Sequence, residues 1–150
     1  MQEFYPVGEG VIYDKAKVLS NVLLETEGED WHIGDFCLVT VPRLKIGKGS
    51  HINAHSSILG RECVEIGRDS VISYYCLLLT SSDSPDPPDR KHNDYSPETL
   101  RAVKSNPIYI GNDCFIGAHV TLMPGCIVPD NTVIKAYSYC YMKYGRLEMR

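Results

Sequence analysis

The 150-residue sequence predicts an all-β solenoid in which a short strand and a corner alternate along the chain. Three observations lead to this prediction. An aliphatic residue recurs every six positions, a small residue recurs four positions after it, and one long proline-rich segment interrupts the pattern. A period of six fits neither the 3.6 residues of a helical turn nor the two-residue alternation of a plain strand. It therefore indicates one short strand and one corner in every block.

Eleven six-residue blocks begin with Ile, Val or Leu, in three runs from Ile46, Ile66 and Ile110. The runs read IGKGSH INAHSS ILGREC, then IGRDSV ISYYCL LLTSSD, then IGNDCF IGAHVT LMPGCI VPDNTV IKAYSY. We expect the first residue of each block, its head, to point inward and to stack on the head of the coil above. Three faces would close one triangular coil of about 18 residues.

The fifth place of each block is expected to point into the narrow inward space beside a corner. Apart from Glu62, it holds only small side chains: Ser50, Ser56, Ser70, Cys76, Ser82, Cys114, Val120, Cys126, Thr132 and Ser138. Cysteines at this place are predicted to be buried small hydrophobes with reduced thiols. Cys63, which comes directly before the two-residue insertion that precedes Ile66, is not explained in this way.

Residues that tolerate unusual backbone angles follow the heads. We expect them to form the sharp corners. They are Gly47, Gly67, Gly111, Asn112, Asp113, Gly117, Asp130 and Asn131.

A weaker form of the pattern extends toward the N-terminus, through Ile12, Val18, Leu24, Ile33 and Val39. The solenoid is predicted to start near Ile12, with residues 1–150 forming a single domain. Two interruptions, Glu25–Trp31 and Val41–Lys45, are predicted to be short loops that leave the corners. Phe4–Val11 is predicted to cap the open end.

One long segment, at about residues 80–107, is predicted to protrude from the coil as an arm. It holds five of the nine prolines and no block heads. An insertion of this length in a compact repeat is more often functional than disordered, so we expect an ordered arm. Within it, Ser96 as an N-cap and Pro97 at the first helical position predict a short helix over SPETLRAVK.

The net charge and the hydropathy of the sequence limit the kinds of partner that we expect. Lys and Arg number 15 against 19 for Asp and Glu, so the net charge of −4 makes nucleic acid an unexpected partner. No apolar run approaches the roughly 18 residues of a membrane span, so no membrane partner is expected. The first residues, MQEFYPVGEG, lack the features of a signal peptide, and a cytoplasmic location is expected.

The segment IGNDCFIGAHVTLMPGCIVPDNTVIKA resembles the hexapeptide-repeat acyltransferases, above all the maltose, galactoside and cell-surface sugar O-acetyltransferases. The resemblance is clear from Ile46 to about Cys140. It implies a single-stranded left-handed parallel β-helix, a homotrimer with active sites between subunits, acetyl-CoA as acyl donor and a sugar-like acceptor. Handedness rests on the resemblance alone, because parallel crossovers are normally right-handed.

The resemblance also implies catalytic positions. Asn53 matches an asparagine of the sugar enzymes, and the family histidine, thirty residues further on, falls at Asp83. An ordinary carboxylate, with a pKa of about 3.9, is a weaker base than an imidazole at about 6.5. Two alternatives stay open: Asp83 takes the acceptor proton, or His92 takes it while Asp83 or Asp94 orients the ring.

Three positions are implied to bind the cofactor. Phe115 matches an aromatic residue beside the acceptor, although ordinary packing would explain it equally well. Ala118 falls where a backbone N–H faces the thioester, and Ala136 falls where the chain must stay small beside pantetheine.

Lys135 and Tyr137 replace the glycines that usually flank this alanine in the family. Their bulk narrows the groove, or alternatively Lys135 and Lys143 contact the phosphates of CoA while Tyr137 or Tyr139 stacks on adenine. The tyrosines near this end are expected first of all at a trimer contact: Tyr137, Tyr139, Tyr141 and Tyr144.

His51, His55 and His119 are expected to line the groove between subunits. Because His51 and His55 are four residues apart, a β-coil does not put both on one face, and no metal site is predicted.

Two functions from different classes follow. The first is an acyl-CoA-dependent O-acetyltransferase that acts on a sugar or small hydroxylated acceptor. The alternative is a non-catalytic β-helix binding or scaffold protein that has lost the catalytic histidine. An N-acetyltransferase is a third possibility, separable from the first only by its acceptor.

Overall fold

The computed structural model describes residues 10–83 and 103–150. Within these ranges the chain winds through three parallel sheets, which we call the first, second and third faces. The first face contains β1 (Val11–Ile12), β4 (His32–Ile33), β7 (His51–Ile52), β10 (Val71–Ile72), β15 (Phe115–Ile116) and β18 (Val133–Ile134). The second contains β2 (Lys17–Val18), β5 (Leu38–Val39), β8 (Ser57–Leu59), β11 (Leu77–Leu79), β16 (Thr121–Leu122) and β19 (Tyr139–Lys143), with β20 (Arg146–Met149) added at its end. The third contains β3 (Leu23–Thr26), β6 (Arg43–Ile46), β9 (Val64–Ile66), β14 (Ile108–Ile110) and β17 (Ile127–Val128).

Consecutive rungs of the coil pair in register. On the first face Ile12 pairs with Ile33, Ile33 with Ile52, and Ile52 with Ile72. Ile72 then pairs with Ile116, across the arm, and Ile116 with Ile134. These stacked parallel rungs form the left-handed β-helix that the resemblance implied. The last rung, from Ile116 to Ile134, takes the predicted 18 residues, whereas the rung from Ile52 to Ile72 takes 20.

The block heads form the core, as predicted. All eleven are at most 3% exposed: Ile46, Ile52, Ile58, Ile66, Ile72, Leu78, Ile110, Ile116, Leu122, Val128 and Ile134. Full burial of one such side chain contributes about 1.5–3 kcal/mol. Ile12, where the solenoid was predicted to start, lies in β1, the first strand of residues 10–83, and is 41% exposed there.

The small fifth residues are buried in seven of the ten blocks, and the serines among them connect the rungs. Oγ of Ser70 donates to the carbonyl of Gly111 at 2.7 Å and accepts from the amide of Cys114 at 3.0 Å. Such hydroxyls are fully hydrogen-bonded, which makes their burial inexpensive. The other three residues, Ser82, Thr132 and Ser138, are half-buried. Ser82 lies in the arm, and Thr132 and Ser138 lie in the last rung.

The cysteines confirm the prediction of buried, reduced thiols. Cys37, Cys76, Cys114, Cys126 and Cys140 are buried, whereas Cys63 is half-buried, and all six are free. Burial raises the pKa of Cys126 and that of Cys140 to about 11.

The predicted loop at Val41–Lys45 is wrong. Val41 and Leu44 are fully buried, and the segment enters β6 at Arg43. Three strands of the third face, β6, β9 and β14, hold two buried residues each, as with Leu44 and Ile46 in β6. A rung that contains such a strand needs extra residues there. The insertion before Ile66 has the same cause, because Val64 also points inward.

The interruption at Glu25–Trp31 is shorter than predicted. Glu25 and Thr26 belong to β3, so the loop begins at Glu27.

The corners also differ from the prediction. The left-handed φ falls at the fourth place of the blocks, as at His55, Asp69, Tyr75 and His119. Of the eight residues predicted to take unusual angles, only Asp113 and Asn131 have a positive φ. The glycines serve close approach instead: a Cβ on Gly117 would overlap the backbone nitrogen of Ala136 in the next rung.

The arm leaves the second face as an antiparallel ribbon of β12 (Ser81–Asp83) and β13 (Val103–Ser105). Since Val103 and Lys104 lie in a strand, the predicted helix is wrong at its last two residues. The rest of that helix, His92, Asp94 and most of the predicted N-terminal cap lie outside the described residues. In the described part of the chain no helix is long and apolar enough to cross a membrane.

Beyond the last rung, β19 and β20 form an antiparallel hairpin, and Leu147 packs against the core.

Candidate active site

The residues matched to the family's catalytic pair lie at different corners of the coil. Asn53 follows β7, where the first face turns into the second. Asp83 lies in β12, beyond β11, where the second face turns toward the third, and it pairs with Val103. A single copy of the chain therefore does not join Asn53 and Asp83.

Asn53 instead contacts a histidine that the sequence analysis did not single out. Nε2 of His32 donates to Oδ1 of Asn53 at 3.2 Å, and the His32 ring stacks on His51 with 4.0 Å between centroids. Tyr13 packs edge-on against the same ring. Burial, and next the charge of His51, lower the pKa of His32, while the bond to Asn53 opposes this effect. A neutral imidazole beside the matched asparagine is the result.

Asp83 lines a cleft of about 830 Å³ at the base of the arm. Ser82 and Lys104 from the ribbon, and Tyr139, Tyr141 and Arg150 from the end of the chain, line it as well. The guanidinium of Arg150 lies 5.4 Å from the Tyr141 ring centre, and the Tyr139 and Tyr141 rings are 5.7 Å apart. Hydroxyl groups, aromatic rings and charges of both signs suit a polar ligand that carries several hydroxyls.

The three residues implied at the cofactor lie along the first face and its corner with the second. Phe115 points outward and is 46% exposed, which removes ordinary core packing as its explanation. The carbonyl of Ala118 accepts from the amide of Tyr137 at 2.9 Å. Ala136 is exposed, and its backbone lies directly against Gly117.

The two lysines implied at the phosphates lie on separate elements. Lys135 is exposed beside Ala136, and its carbonyl accepts from the Ser138 hydroxyl at 2.7 Å. Lys143 lies at the end of β19, with Nζ 5.5 Å from the centre of the Tyr144 ring.

Five rings stack along the corner between the first and second faces, and we call them the aromatic ladder: Phe36, His55, Tyr75, His119 and Tyr137. Neighbouring centroids are 4.6–5.0 Å apart, and the last three pairs are parallel to within 7°. All five residues have φ between 58° and 65°. Bulky side chains disfavour this conformation by about 1–2 kcal/mol each, and stacking, worth about 0.5–1.5 kcal/mol per pair, offsets it.

The aromatic ladder was missed by the sequence analysis. Its signal was the fourth place of the blocks INAHSS, ISYYCL, IGAHVT and IKAYSY. His55 and His119 thus belong to the ladder, whereas His51 lies on the first face. Among the residues described, no group of three or more His, Cys, Asp or Glu side chains could hold a metal.

Comparison with known proteins adds a match to a family model over part of the chain, and a fold. Residues 107–141 match the family model of the bacterial transferase hexapeptide (six repeats). A relative in Escherichia coli strain K12, assigned to lipopolysaccharide biosynthesis as the O-acetyl transferase WbbJ, is 28% identical over 92 residues. That alignment covers 58% of this chain but only 45% of the relative, so the chain matches less than half of that protein.

The structural comparison covers nearly the whole chain. AntD, an N-acyltransferase from Bacillus cereus solved with dTDP and coenzyme A, has a TM-score of 0.74 and 18% identity. The match covers 93% of this chain and 79% of AntD. A galactoside acetyltransferase in complex with coenzyme A has a TM-score of 0.51 and 22% identity, covering 93% of this chain and 62% of the other. Similarity at this level of identity establishes the fold.

Proposed function

We propose that the chain is a hexapeptide-repeat transferase that transfers an acetyl group from acetyl-coenzyme A to a hydroxyl group of a sugar-like acceptor in the cytoplasm. The cleft at the base of the arm carries this proposal. It joins a carboxylate, Asp83, to hydroxyl and aromatic side chains in a space large enough for a sugar. AntD and the galactoside acetyltransferase, which share the fold, were both solved with coenzyme A, and this supports the donor.

The residues along the corner fit an extended thioester arm. Ala118 and Ala136 carry only methyl groups, and Gly117 carries no side chain, so the outer surface is shallow there. When bound, the donor supplies an activated acyl group. The N–H groups of Gly117 and His119 donate to carbonyls of the coil, so the backbone N–H of Ala118 would be the one to stabilise the negative charge that develops on the carbonyl oxygen during transfer.

Asp83 is the proposed base. It would accept the proton of the acceptor hydroxyl while that oxygen attacks the acyl carbon. The C–S bond would then break, and the departing thiolate of CoA would take up the proton from Asp83. Lys104 and Arg150 would bind anionic groups of the acceptor.

We propose a homotrimer for the same reaction. Asn53 and Asp83 lie at different corners of one copy, so a site that uses both must combine two copies. Tyr144 of the hairpin, which is 91% exposed, would lie at these contacts.

The test mixes the purified chain with acetyl-CoA and a panel of sugars, phosphorylated sugars, nucleotide-linked sugars and amino sugars. Release of free thiol is followed with a thiol-reactive dye, and products by mass spectrometry. We expect thiol release only with a hydroxylated acceptor and an ester product. An amide product would instead identify an N-acyltransferase. Binding of CoA without release on any acceptor would refute the acceptor class, and no binding at all would support the scaffold alternative. Light scattering on the same sample tests the trimer.

A further inference from the structure

Tyr137 ends the aromatic ladder with one ring face uncovered. Its other face lies against His119, with 4.8 Å between centroids and 4° between planes. In the described part of the chain, no further ring stacks on Tyr137, and the residue is 75% exposed. The opposite end of the ladder differs, because Nζ of Lys15 lies 5.4 Å from the centre of the Phe36 ring.

The Tyr137 ring is held in place before any ligand binds. Its amide donates to the carbonyl of Ala118 at 2.9 Å. At the same corner, the Ser138 hydroxyl donates to the carbonyl of Lys135 at 2.7 Å. The stacking on His119 fixes the plane of the ring. A further planar ring could therefore continue the ladder at the same spacing, with little loss of side-chain entropy.

Residues 135–150, which form the last corner and the hairpin, carry an excess of positive charge. Residues 135–150 contain four cations, Lys135, Lys143, Arg146 and Arg150, against the single carboxylate of Glu148, whereas the whole chain has a net charge of −4. A planar ring that carries phosphate groups would match both the open ring face and this charge.

We propose that the uncovered face of Tyr137 stacks on the adenine ring of a bound nucleotide, whose phosphates contact Lys135 and Lys143. The nucleotide is that of the acyl-CoA donor, so this assignment rests on the proposed function. The Tyr137 ring, at a position where the resemblance implies a glycine, would thereby contact the donor and help to bind it.

Calorimetry with adenosine 3′,5′-bisphosphate, the nucleotide of CoA, tests the proposal, with pantetheine as a probe that lacks the ring. Tyr137→Asn removes the ring and tolerates the left-handed φ of 65°. Since base stacking contributes about 1–3 kcal/mol, we expect about 5- to 150-fold weaker binding of the nucleotide in Tyr137→Asn. Tyr137→Phe keeps the ring face and should stay within about twofold of the unchanged chain.

Phe36→Asn is the matched control, since Phe36 is the other terminal ring and also has a positive φ. It should leave nucleotide binding unchanged, and pantetheine binding should be the same in all variants. Thermal unfolding checks that each variant folds. Equal nucleotide affinity in Tyr137→Asn and the unchanged chain would overturn the proposal, as would absence of nucleotide binding.

The two proposals fail separately. Thiol release without nucleotide binding would keep the transferase and remove the stacking site. Nucleotide binding that depends on the Tyr137 ring, without thiol release on any acceptor, would keep the site and remove the reaction.

Discussion

Oδ1 of Asn53 accepts a hydrogen bond from Nε2 of His32 at 3.2 Å, which links the corner after β7 to the strand of the preceding rung. The asparagine matched to the family's catalytic machinery thus has an imidazole partner from its own chain. Because the rung between them takes 19 residues, from Ile33 to Ile52, a strict six-residue count does not align the two positions.

The stability of the fold is expected to depend on pH through His32. Burial, then the charge of His51, lower its pKa below the value of 6.5 that applies in the unfolded chain. The unfolded state therefore binds more protons as pH falls through about 6.5, and the stability present above this pH is progressively lost. Thermal unfolding followed between about pH 7.5 and pH 5 should show a falling midpoint, and His32→Gln should flatten the slope. His51→Gln should raise the pKa of His32, measured by NMR titration. An identical slope in His32→Gln and the unchanged chain would contradict this.

Asp83→Asn is expected to lower kcat/KM for acetyl transfer by about 10²–10⁴, because the acceptor hydroxyl loses its base. Asp14→Asn, an exposed carboxylate at the opposite end of the coil, is the matched control and should keep full activity. His92→Gln should also remain active. If His92→Gln loses the activity and Asp83→Asn retains it, the histidine is the base.

Gly117→Ala is expected to destabilise the fold by about 1–3 kcal/mol, because the added methyl group has no room beside the backbone of Ala136. Urea unfolding measures the difference. Gly145→Asn provides the comparison: Gly145 has a φ of 72° but open space around it, and asparagine tolerates that angle. A Gly117→Ala chain as stable as Gly145→Asn would show that the rungs are not in such close contact.

The thiols should differ in reactivity. Brief alkylation of the folded chain at about pH 8, read out by peptide mass spectrometry, is expected to modify Cys63 first, since it alone is not buried. Cys126 and Cys140 should react slowly, because burial raises the pKa of each to about 11. All six should react at similar rates in denaturant. Fast modification of Cys126 in the folded chain would place it outside the core.

The sequence allowed the core to be predicted because hydrophobic burial acts on every rung alike. Ile52, Ile72, Ile116 and Ile134 recur at places that a six-residue count identifies, and all are fully buried. The same count failed at Val41–Lys45. There the third face takes a strand with two inward residues, and this alternation of two interrupts the period of six.

The site was less predictable, since its contacts join residues of different rungs or depend on backbone angle. His55, Tyr75 and His119 stack because each takes a left-handed φ at the same corner of the coil. An aromatic residue in the sequence does not predict this conformation. Because the arm lies between them, Tyr75 and His119 are 44 positions apart in the sequence, and their spacing does not indicate that the two rings stack. Whether His92 reaches the cleft stays a prediction.

The most direct test of the account is a calorimetric titration of the purified chain with coenzyme A. We expect saturable binding with one molecule per chain, weakened in Tyr137→Asn but not in Phe36→Asn. No detectable heat of binding up to about millimolar ligand, where the free energy of binding would be only about −4 kcal/mol, would contradict an acyl-CoA-dependent transferase.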